Sequence, residues 1–257
     1  MSADPRVEAY ASVLVETCLD VQPGWQVIVN GGALARPLIE AASTAIGERD
    51  AWVLQRVSLT GDSINLPWAL AAPEERLSTM APIEAHAWEN ADALLSIVAP
   101  ENTRGLSRLP ADRLALIQGA TREHYERVFT HDLKWVGCQF PTPALAQEAG
   151  MSLQEFEDFL YGACLLDWNA ERKRMKRYAE LFDGAEVVRI VAGDTDLTLG
   201  VEGRPAAVDA GGANMPGGEF YCCPLEDSAR GTIAFSEFPA VYLGKEVEGI
   251  TLQFEDG

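Results

Sequence analysis

Residues 91–99 read ADALLSIVA, and this stretch decides the fold class. A short apolar run rich in leucine, isoleucine and valine is typical of a strand that is buried on both faces of a parallel sheet. Similar strand patterns and several helical patterns surround it. Strands are predicted at 25–29, 51–57 and 134–140, and helices at 10–18, 34–46 and 110–129. Because strands alternate with helices, we expect an α/β fold with a doubly wound, mostly parallel sheet.

The next part of the chain, residues 141–182, has only helical patterns. Ser152 and Glu155 have the spacing of a capping box, so a helix is predicted to begin directly after Ser152. Its predicted buried face consists of Phe156, Phe159, Leu160, Ala163 and Cys164, and a second helix is predicted at 168–182. We therefore expect an all-helical part at the end of the first domain.

After Asp183 and Gly184 the pattern changes to short strands separated by turn residues. Strands are predicted at 186–192, 196–201, 231–236 and 247–254. We place the domain boundary here, with an α/β domain at 1–183 and a smaller β-rich domain at 184–257. Because residues 255–257 are turn-like and follow a predicted strand directly, we expect this second domain to be incomplete.

The composition limits the classes of partner. The chain has 257 residues and a net charge of −19, with a pI near 4.5, so it would repel the phosphate backbone of a nucleic acid. No stretch of the sequence is close in length to the run of about 20 apolar residues that a membrane-spanning helix needs. Five cysteines are scattered along the chain without a disulfide-like spacing, which is typical of reduced thiols. We expect no nucleic-acid partner, no membrane partner and a cytoplasmic location.

The segment most suited to chemistry is 211–231, GGANMPGGEFYCCPLEDSARG. Its glycines and Pro216 allow the backbone to turn tightly, and they place the carboxylate of Glu219 at the start of a short strand-like run. A carboxylate held on such a loop suits one ligand of a metal site. The alternative is a glycine-rich hairpin with a solvated glutamate, since a single carboxylate does not make a site.

Other metal-binding patterns are weaker. Cys222 and Cys223 lack the second cysteine pair that a zinc thiolate site needs, so we interpret them as small strand residues. Asp194 and Asp196 are predicted to shape a hairpin turn, because the rest of a calcium loop is missing. The three histidines do not form a metal-binding motif, and a surface position is expected for them; they are His86, His124 and His131.

Two further motifs have structural interpretations. Residues 30–32, Asn-Gly-Gly, follow a predicted strand but lack the GxGxxG spacing of a nucleotide-binding turn, and a strand-to-helix turn uses glycine in any case. The basic run at 171–177 lies on a predicted helix in a strongly acidic chain. A solvated or subunit-pairing helix face is therefore expected rather than a nucleic-acid surface.

The segment Asn214–Glu219, NMPGGE, resembles the metal-binding loop of the thermophilic aminopeptidase T family of metallo-aminopeptidases. That loop has the pattern Asn-x-Pro-x-x-Glu, followed by Phe-Thr-x-Pro and by a Glu-Gly pair that opens a strand. Tyr221–Pro224 and Arg230–Ile233 occupy those places here, with Cys222 and Cys223 replacing Thr-Ala and Arg230 replacing the glutamate. Weaker matches lie at Gly193–Leu197 and Gly249–Gly257.

The resemblance implies that Glu219 is a metal ligand, and it assigns no catalytic residue within this chain. In that family the remaining ligands and the catalytic tyrosine lie downstream of the position of Gly257. The implied activity is removal of N-terminal residues from peptides, by water activated between two divalent ions of zinc, cobalt, manganese or magnesium. The resemblance also implies a homodimer. We expect this chain alone to bind no metal tightly and to lack activity.

Two other functions stay open. A non-haem iron dioxygenase that cleaves dihydroxypyridine rings resembles the same family, although the Gly-Glu pair at Gly218 and Glu219 favours the peptidase. The other alternative is a non-catalytic module that dimerises or regulates.

Overall fold

The computed structural model describes residues 4–130, 132–236, 239–242 and 245–257. The helices are α1 (Pro5–Ser12), α2 (Arg36–Glu48), α3 (Leu66–Ala71), α4 (Glu74–Leu77), α5 (Pro82–Asn90), α6 (Ala111–Phe129), α7 (Pro143–Glu148), α8 (Leu153–Cys164) and α9 (Trp168–Asp183). The strands are β1 (Gln26–Gly32), β2 (Trp52–Ser58), β3 (Ala93–Val98), β4 (Lys134–Gln139), β5 (Val187–Ala192), β6 (Thr195–Gly200), β7 (Ala207–Asp209), β8 (Asn214–Met215), β9 (Glu219–Tyr221), β10 (Arg230–Phe235), β11 (Ala240–Tyr242), β12 (Lys245–Val247) and β13 (Ile250–Phe254).

The described residues form two compact units. One contains the chain up to Leu166 together with Gly211–Gly217, and the other contains Asp167–Ala210 and Gly218–Gly257. This division differs from the boundary expected at 183/184. Helix α9 groups with the β-rich unit because it packs on β7 and β9, and the segment 211–217 groups with the first unit because it contains β8, which pairs with β4.

The first unit is built on a parallel sheet in the order β2-β1-β3-β4-β8. Strand β1 lies between β2 and β3, so the chain moves outward from β1 in both directions, which is the doubly wound arrangement. The predicted strand at 91–99 is confirmed as β3, with Ala93, Leu94, Leu95 and Ile97 buried. The α/β fold class is thus confirmed.

The glycines at the end of β1 serve close packing. A Cβ atom on Gly32 would lie 2.5 Å from the Ala99 carbonyl oxygen and 2.7 Å from the Gly61 Cα. These distances are too short for any side chain at position 32. The backbone at Gly61 and Ala99 can lie this close to β1 only because residue 32 is glycine. The interpretation of residues 30–32 as a strand-to-helix turn is corrected here: they are the last three residues of β1, and the turn toward α2 begins at Ala33.

Helix α8 begins with the predicted capping box. The Ser152 hydroxyl accepts a hydrogen bond from the Glu155 N–H at 3.3 Å, and the Ser152 N–H donates to the Glu155 carboxylate at 2.9 Å. The predicted buried face is wrong at Phe159, which is 62% exposed. Tyr161 is buried in its place because its ring packs edge-on against Tyr10, with the ring centroids 5.9 Å apart.

The second unit contains an antiparallel sheet in the order β13-β10-β6-β5 and a two-stranded ribbon formed by β7 and β9. Strands β5 and β6 form a hairpin with Gly193 and Asp194 at its turn, as predicted for Asp194, whereas Asp196 lies within β6 and pairs with Val191. Arg189 donates to both carboxylate oxygens of Asp196, at 2.8 and 2.7 Å, and this ion pair lowers the pKa of Asp196. No helix in the described part of the chain is long and apolar enough to span a membrane.

Candidate metal-binding loop

The loop before Glu219 is anchored in the first unit by strand β8. Asn214 and Met215 pair with Gly137 and Cys138 of β4. The Gly137 N–H donates to the Ala213 carbonyl at 2.8 Å, and the buried Tyr10 hydroxyl donates to the Met215 carbonyl at 3.3 Å. These backbone contacts fix the first half of the NMPGGE segment.

The second half of the segment turns into the β7–β9 ribbon at Gly218. Gly218 has a φ of +110°, and its N–H donates to the Asp209 carbonyl at 2.9 Å. A side chain at this φ is strained even where space allows it, so the backbone conformation itself requires glycine. The next residue, Glu219, is the first of β9 and is exposed.

The ribbon places a second carboxylate directly opposite Glu219. Asp209 of β7 is the register partner of Glu219 and is only 7% exposed. Residues that face each other across an antiparallel pair have Cβ atoms about 5 Å apart on the same face. Asp209 was not predicted from the sequence, although the apolar pair Ala207 and Val208 followed by Asp209, Ala210 and two glycines is the pattern of a strand end.

Helix α9 supports the other face of the ribbon. The Phe220 ring lies 5.1 Å from the Phe182 ring in an edge-on arrangement and stacks on Tyr178 at 6.4 Å between centroids. Because successive side chains in a strand point to opposite faces, packing Phe220 against α9 directs Glu219 away from the helix. The ribbon therefore fixes the face on which the Glu219 side chain lies.

The carboxylates near the loop do not by themselves complete a metal centre. Among the described residues, no group of three or more histidine, cysteine, aspartate or glutamate side chains is close enough to hold a metal ion. Cys222 is half-buried and Cys223 is exposed, and both are free thiols. His86 lies exposed on α5, as expected. The side chain of His124 and the whole of His131 lie outside the described part of the structure.

The basic run at 171–177 lies on α9, where two of its arginines have local structural partners. Arg174 donates to Glu171 at 2.9 Å, and Arg172 donates to the Ala210 carbonyl at 3.4 Å. A cleft of about 370 Å³ beside this helix has lining charges of both signs, which come from Arg172, Lys176, Glu180 and Asp183. The lining of this cleft is therefore of mixed charge, and the solvated or subunit-pairing role of the basic run stays a prediction.

Comparison with known proteins relates the chain as a whole to metalloproteases. A model of the family described as thermophilic metalloprotease (M29) matches residues 3–257. Aminopeptidase 2 of Geobacillus stearothermophilus is 25% identical over 288 aligned residues, which cover 99% of this chain and 68% of that protein.

Solved structures share the fold. Wild-type AmpT from Thermus thermophilus superposes with a TM-score of 0.77 at 20% identity, over 98% of this chain and 70% of that one. The 2,5-dihydroxypyridine dioxygenase of Pseudomonas putida KT2440 superposes with a TM-score of 0.53 at 16% identity, over 100% of this chain and 67% of that one. The family match spans nearly the whole sequence, and the chain belongs to the thermophilic metalloprotease (M29) family.

Proposed function

We propose that the function of this chain is that of a metal-dependent aminopeptidase, in which Glu219 is a metal ligand. One observation carries the proposal: an exposed carboxylate stands at the first position of β9, on a backbone fixed by Gly218 on one side and by Phe220 on the other. A backbone fixed in this way keeps the Glu219 side chain on one face of the ribbon, so less backbone freedom is lost when the carboxylate binds an ion. Membership of a metalloprotease family supports the same assignment.

The buried carboxylate of Asp209 supports a cation at this position. Asp209 stands opposite Glu219 in the register of the ribbon, so its carboxylate adds negative charge on the side of the ribbon where a cation would bind. Carboxylate oxygens suit zinc, cobalt, manganese and magnesium, so the residues do not select one metal. Asp209 contributes charge to the site, while Glu219 is the exposed group that contacts the ion.

The proposed substrates are peptides with a free N-terminus. Two bound divalent ions would activate a water molecule for attack on the first peptide carbonyl and would stabilise the negative charge that develops there. In this chain, Glu219 would hold an ion, and the β7–β9 ribbon sets the face on which its side chain lies. We assign no proton-transfer role to any described residue.

Metal binding by this chain as it stands is proposed to be weak. A hydrolytic centre needs several convergent ligands, and Glu219 with its neighbour Asp209 supplies fewer than the three that hold an ion in catalytic zinc sites. We therefore propose that the isolated chain retains little metal and does not turn over peptides.

Assembly and compartment are also proposals. The homodimer is motivated by the family resemblance of the loop. A cytoplasmic location is supported by the five cysteines, none of which forms a disulfide among the described residues and three of which are buried. Neither proposal affects the assignment of Glu219.

The two alternative functions predict different behaviour at Glu219. The fold is shared with a ring-cleaving dioxygenase at a lower TM-score than with AmpT, and a fold alone does not assign the chemistry. A non-catalytic module would have no metal preference at Glu219. The following experiment separates metal binding at this residue from both a solvated loop and a binding site elsewhere.

The test is a titration of the isotope-labelled chain with manganese(II), followed by NMR. Paramagnetic broadening reports weak binding, so it works even where little metal is retained. We expect the amides of 207–209 and 218–221 to broaden first, and Glu219→Gln to abolish that effect. The matched control is Glu202→Gln, an exposed glutamate in a loop of the same unit. Equal broadening in the wild type and in Glu219→Gln would show that Glu219 is not a ligand of the bound manganese.

A further inference from the structure

The outer edge of β2 is the longest unpaired strand edge of the first unit. Strand β2 ends the sheet order and pairs only with β1 in the part of the chain that the structure describes. It is seven residues long. Every strand has hydrogen-bonding groups on both edges, so the outer edge of β2 presents N–H and carbonyl groups that can pair with another strand.

Both faces of β2 are apolar and exposed. Trp52 and Leu54, on one face, are 69% and 49% exposed, and Val53 and Val57, on the other, are 38% and 50% exposed. Soluble proteins usually protect such an edge with lysine, proline or a bulge. Residues 52–58, WVLQRVS, contain no lysine and no proline, and their register with β1 is continuous.

The charge of β2 favours contact with a second copy of the chain. The whole chain has a net charge of −19, so two copies repel each other over most of their surfaces. Strand β2 has no acidic residue, and its single charge, on Arg56, is paired with Glu84 of α5 in the same chain. The repulsion is therefore smallest where this edge lies.

A strand of this kind is also complementary to itself. Two copies related by a twofold axis pair the same strand in antiparallel orientation, and each contact is made twice. With Gln55 on the axis, Val53 faces the partner's Val57, and Arg56 faces the partner's Leu54. This register places the apolar Val53 and Val57 opposite each other and brings no two like charges face to face.

We propose that β2 of two chains pairs antiparallel about Gln55, joining their parallel sheets into one continuous ten-stranded sheet. The inference names an interface for the homodimer proposed above and is independent of the assignment of Glu219. Its occupant is a second copy of this chain.

The first experiment measures the mass in solution by analytical ultracentrifugation. We expect a dimer for the wild type and a monomer for the double variant Leu54→Lys/Val57→Lys. The dissociation constant of the dimer should rise at least 100-fold in this variant. Both substituted residues are exposed, so circular dichroism and the melting temperature should be unchanged. The matched control is Val187→Lys/Val191→Lys on β5, an edge strand of the second unit with similarly exposed valines. This variant should remain a dimer.

The outcomes separate the interface from the homodimer. A monomeric wild type would overturn both proposals. A dimer that resists Leu54→Lys/Val57→Lys, or one that the β5 substitutions dissociate, would overturn the β2 interface while the homodimer stands. Manganese broadening at Glu219 should be the same in every variant, because none of these substitutions touches the loop.

The second experiment tests the register with a cysteine cross-link. In a Cys222→Ser/Cys223→Ser background, Gln55→Cys places two thiols across the axis, where opposite Cα atoms are about 5 Å apart and a disulfide can form. Copper phenanthroline as oxidant should then give a covalent dimer. The control is Leu59→Cys, which is equally exposed, but in this register its two copies lie about 26 Å apart. A dimer band from Leu59→Cys, or none from Gln55→Cys, would contradict the register.

Discussion

At the scale of single residues, the position of Glu219 depends on the backbone of the residue before it. Gly218 adopts a φ of +110° and donates its N–H to Asp209, and β9 begins immediately afterwards. The placement of this glutamate at the start of a strand was predictable from the sequence, because glycine and proline mark a tight turn before it. The opposing carboxylate of Asp209 was not, because the register between two strands is a tertiary property that neither strand encodes alone.

We predict that Gly218→Ala destabilises the second unit by about 1–3 kcal/mol, the usual cost of an L residue in a sparsely populated backbone region. The nearest side-chain atom to a new Cβ, in Met175, is 3.5 Å away, so the cost comes from the backbone and not from a clash. Urea unfolding checks this. Gly184→Ala is the control, since Gly184 has a φ of −102° and open space around it, and its stability should stay within about 1 kcal/mol of wild type. Equal effects in both variants would contradict the strain argument.

At the scale of elements, local signals predicted where helices begin better than which side chains they bury. The capping box at Ser152 and Glu155 involves four neighbouring residues and was read correctly. The buried face of the same helix was misread at Phe159, because the rotation of α8 is set by its contacts with α1, where Tyr161 meets Tyr10. Helix α9 was expected in the first domain, but it packs against Phe220 through Tyr178 and Phe182. Because Phe220 lies 38 or more residues further along the chain, this contact could not be predicted from the local sequence.

We predict that Ser152→Ala costs about 1 kcal/mol of stability, through loss of the bond from the Glu155 N–H to the serine hydroxyl. Thermal and urea unfolding measure the change. Ser107→Ala, at an exposed serine outside the long helices, should stay within about 0.5 kcal/mol of wild type. A Ser152→Ala variant as stable as wild type would mean that the cap does not contribute to folding.

At the scale of the whole molecule, alternation of strands and helices predicted the α/β class, while the division into units escaped the sequence pattern. The segment 211–217 belongs to the first unit, although the chain on both sides of it belongs to the second. A sequence pattern followed residue by residue cannot show that a later segment of the chain belongs to an earlier unit. The pairing of β8 with β4 joins residues that are far apart in the chain, and only the folded sheet brings them together.

The first unit has buried thiols that make its stability sensitive to alkaline pH. Burial raises the pKa of Cys164 to about 11 and raises the pKa values of Cys138 and Tyr10 further. In the unfolded chain a thiol ionises near about pH 8.5. The neutral thiols therefore stabilise the folded state fully below about pH 8.5, and this contribution is lost as the pH rises toward the folded pKa.

We accordingly predict that unfolding free energy falls between about pH 8.5 and pH 10, by up to about 1.4 kcal/mol per pH unit for each thiol. Urea unfolding at a series of pH values measures the slope. The double variant Cys138→Ala/Cys164→Ala should be less stable at pH 7 because it leaves a cavity. Its stability should nevertheless depend less on pH, and an unchanged slope would show that these thiols do not cause the alkaline loss.

The central claim is that Glu219 offers one ligand of a peptidase metal centre, and that the described residues do not complete the centre. The most direct measurement is to dialyse the purified chain against excess cobalt(II), remove free metal, determine the cobalt retained per chain and assay leucine p-nitroanilide. We predict far less than one cobalt per chain and no hydrolysis. Stoichiometric cobalt together with hydrolysis would contradict the account, because it would show a complete centre within these 257 residues.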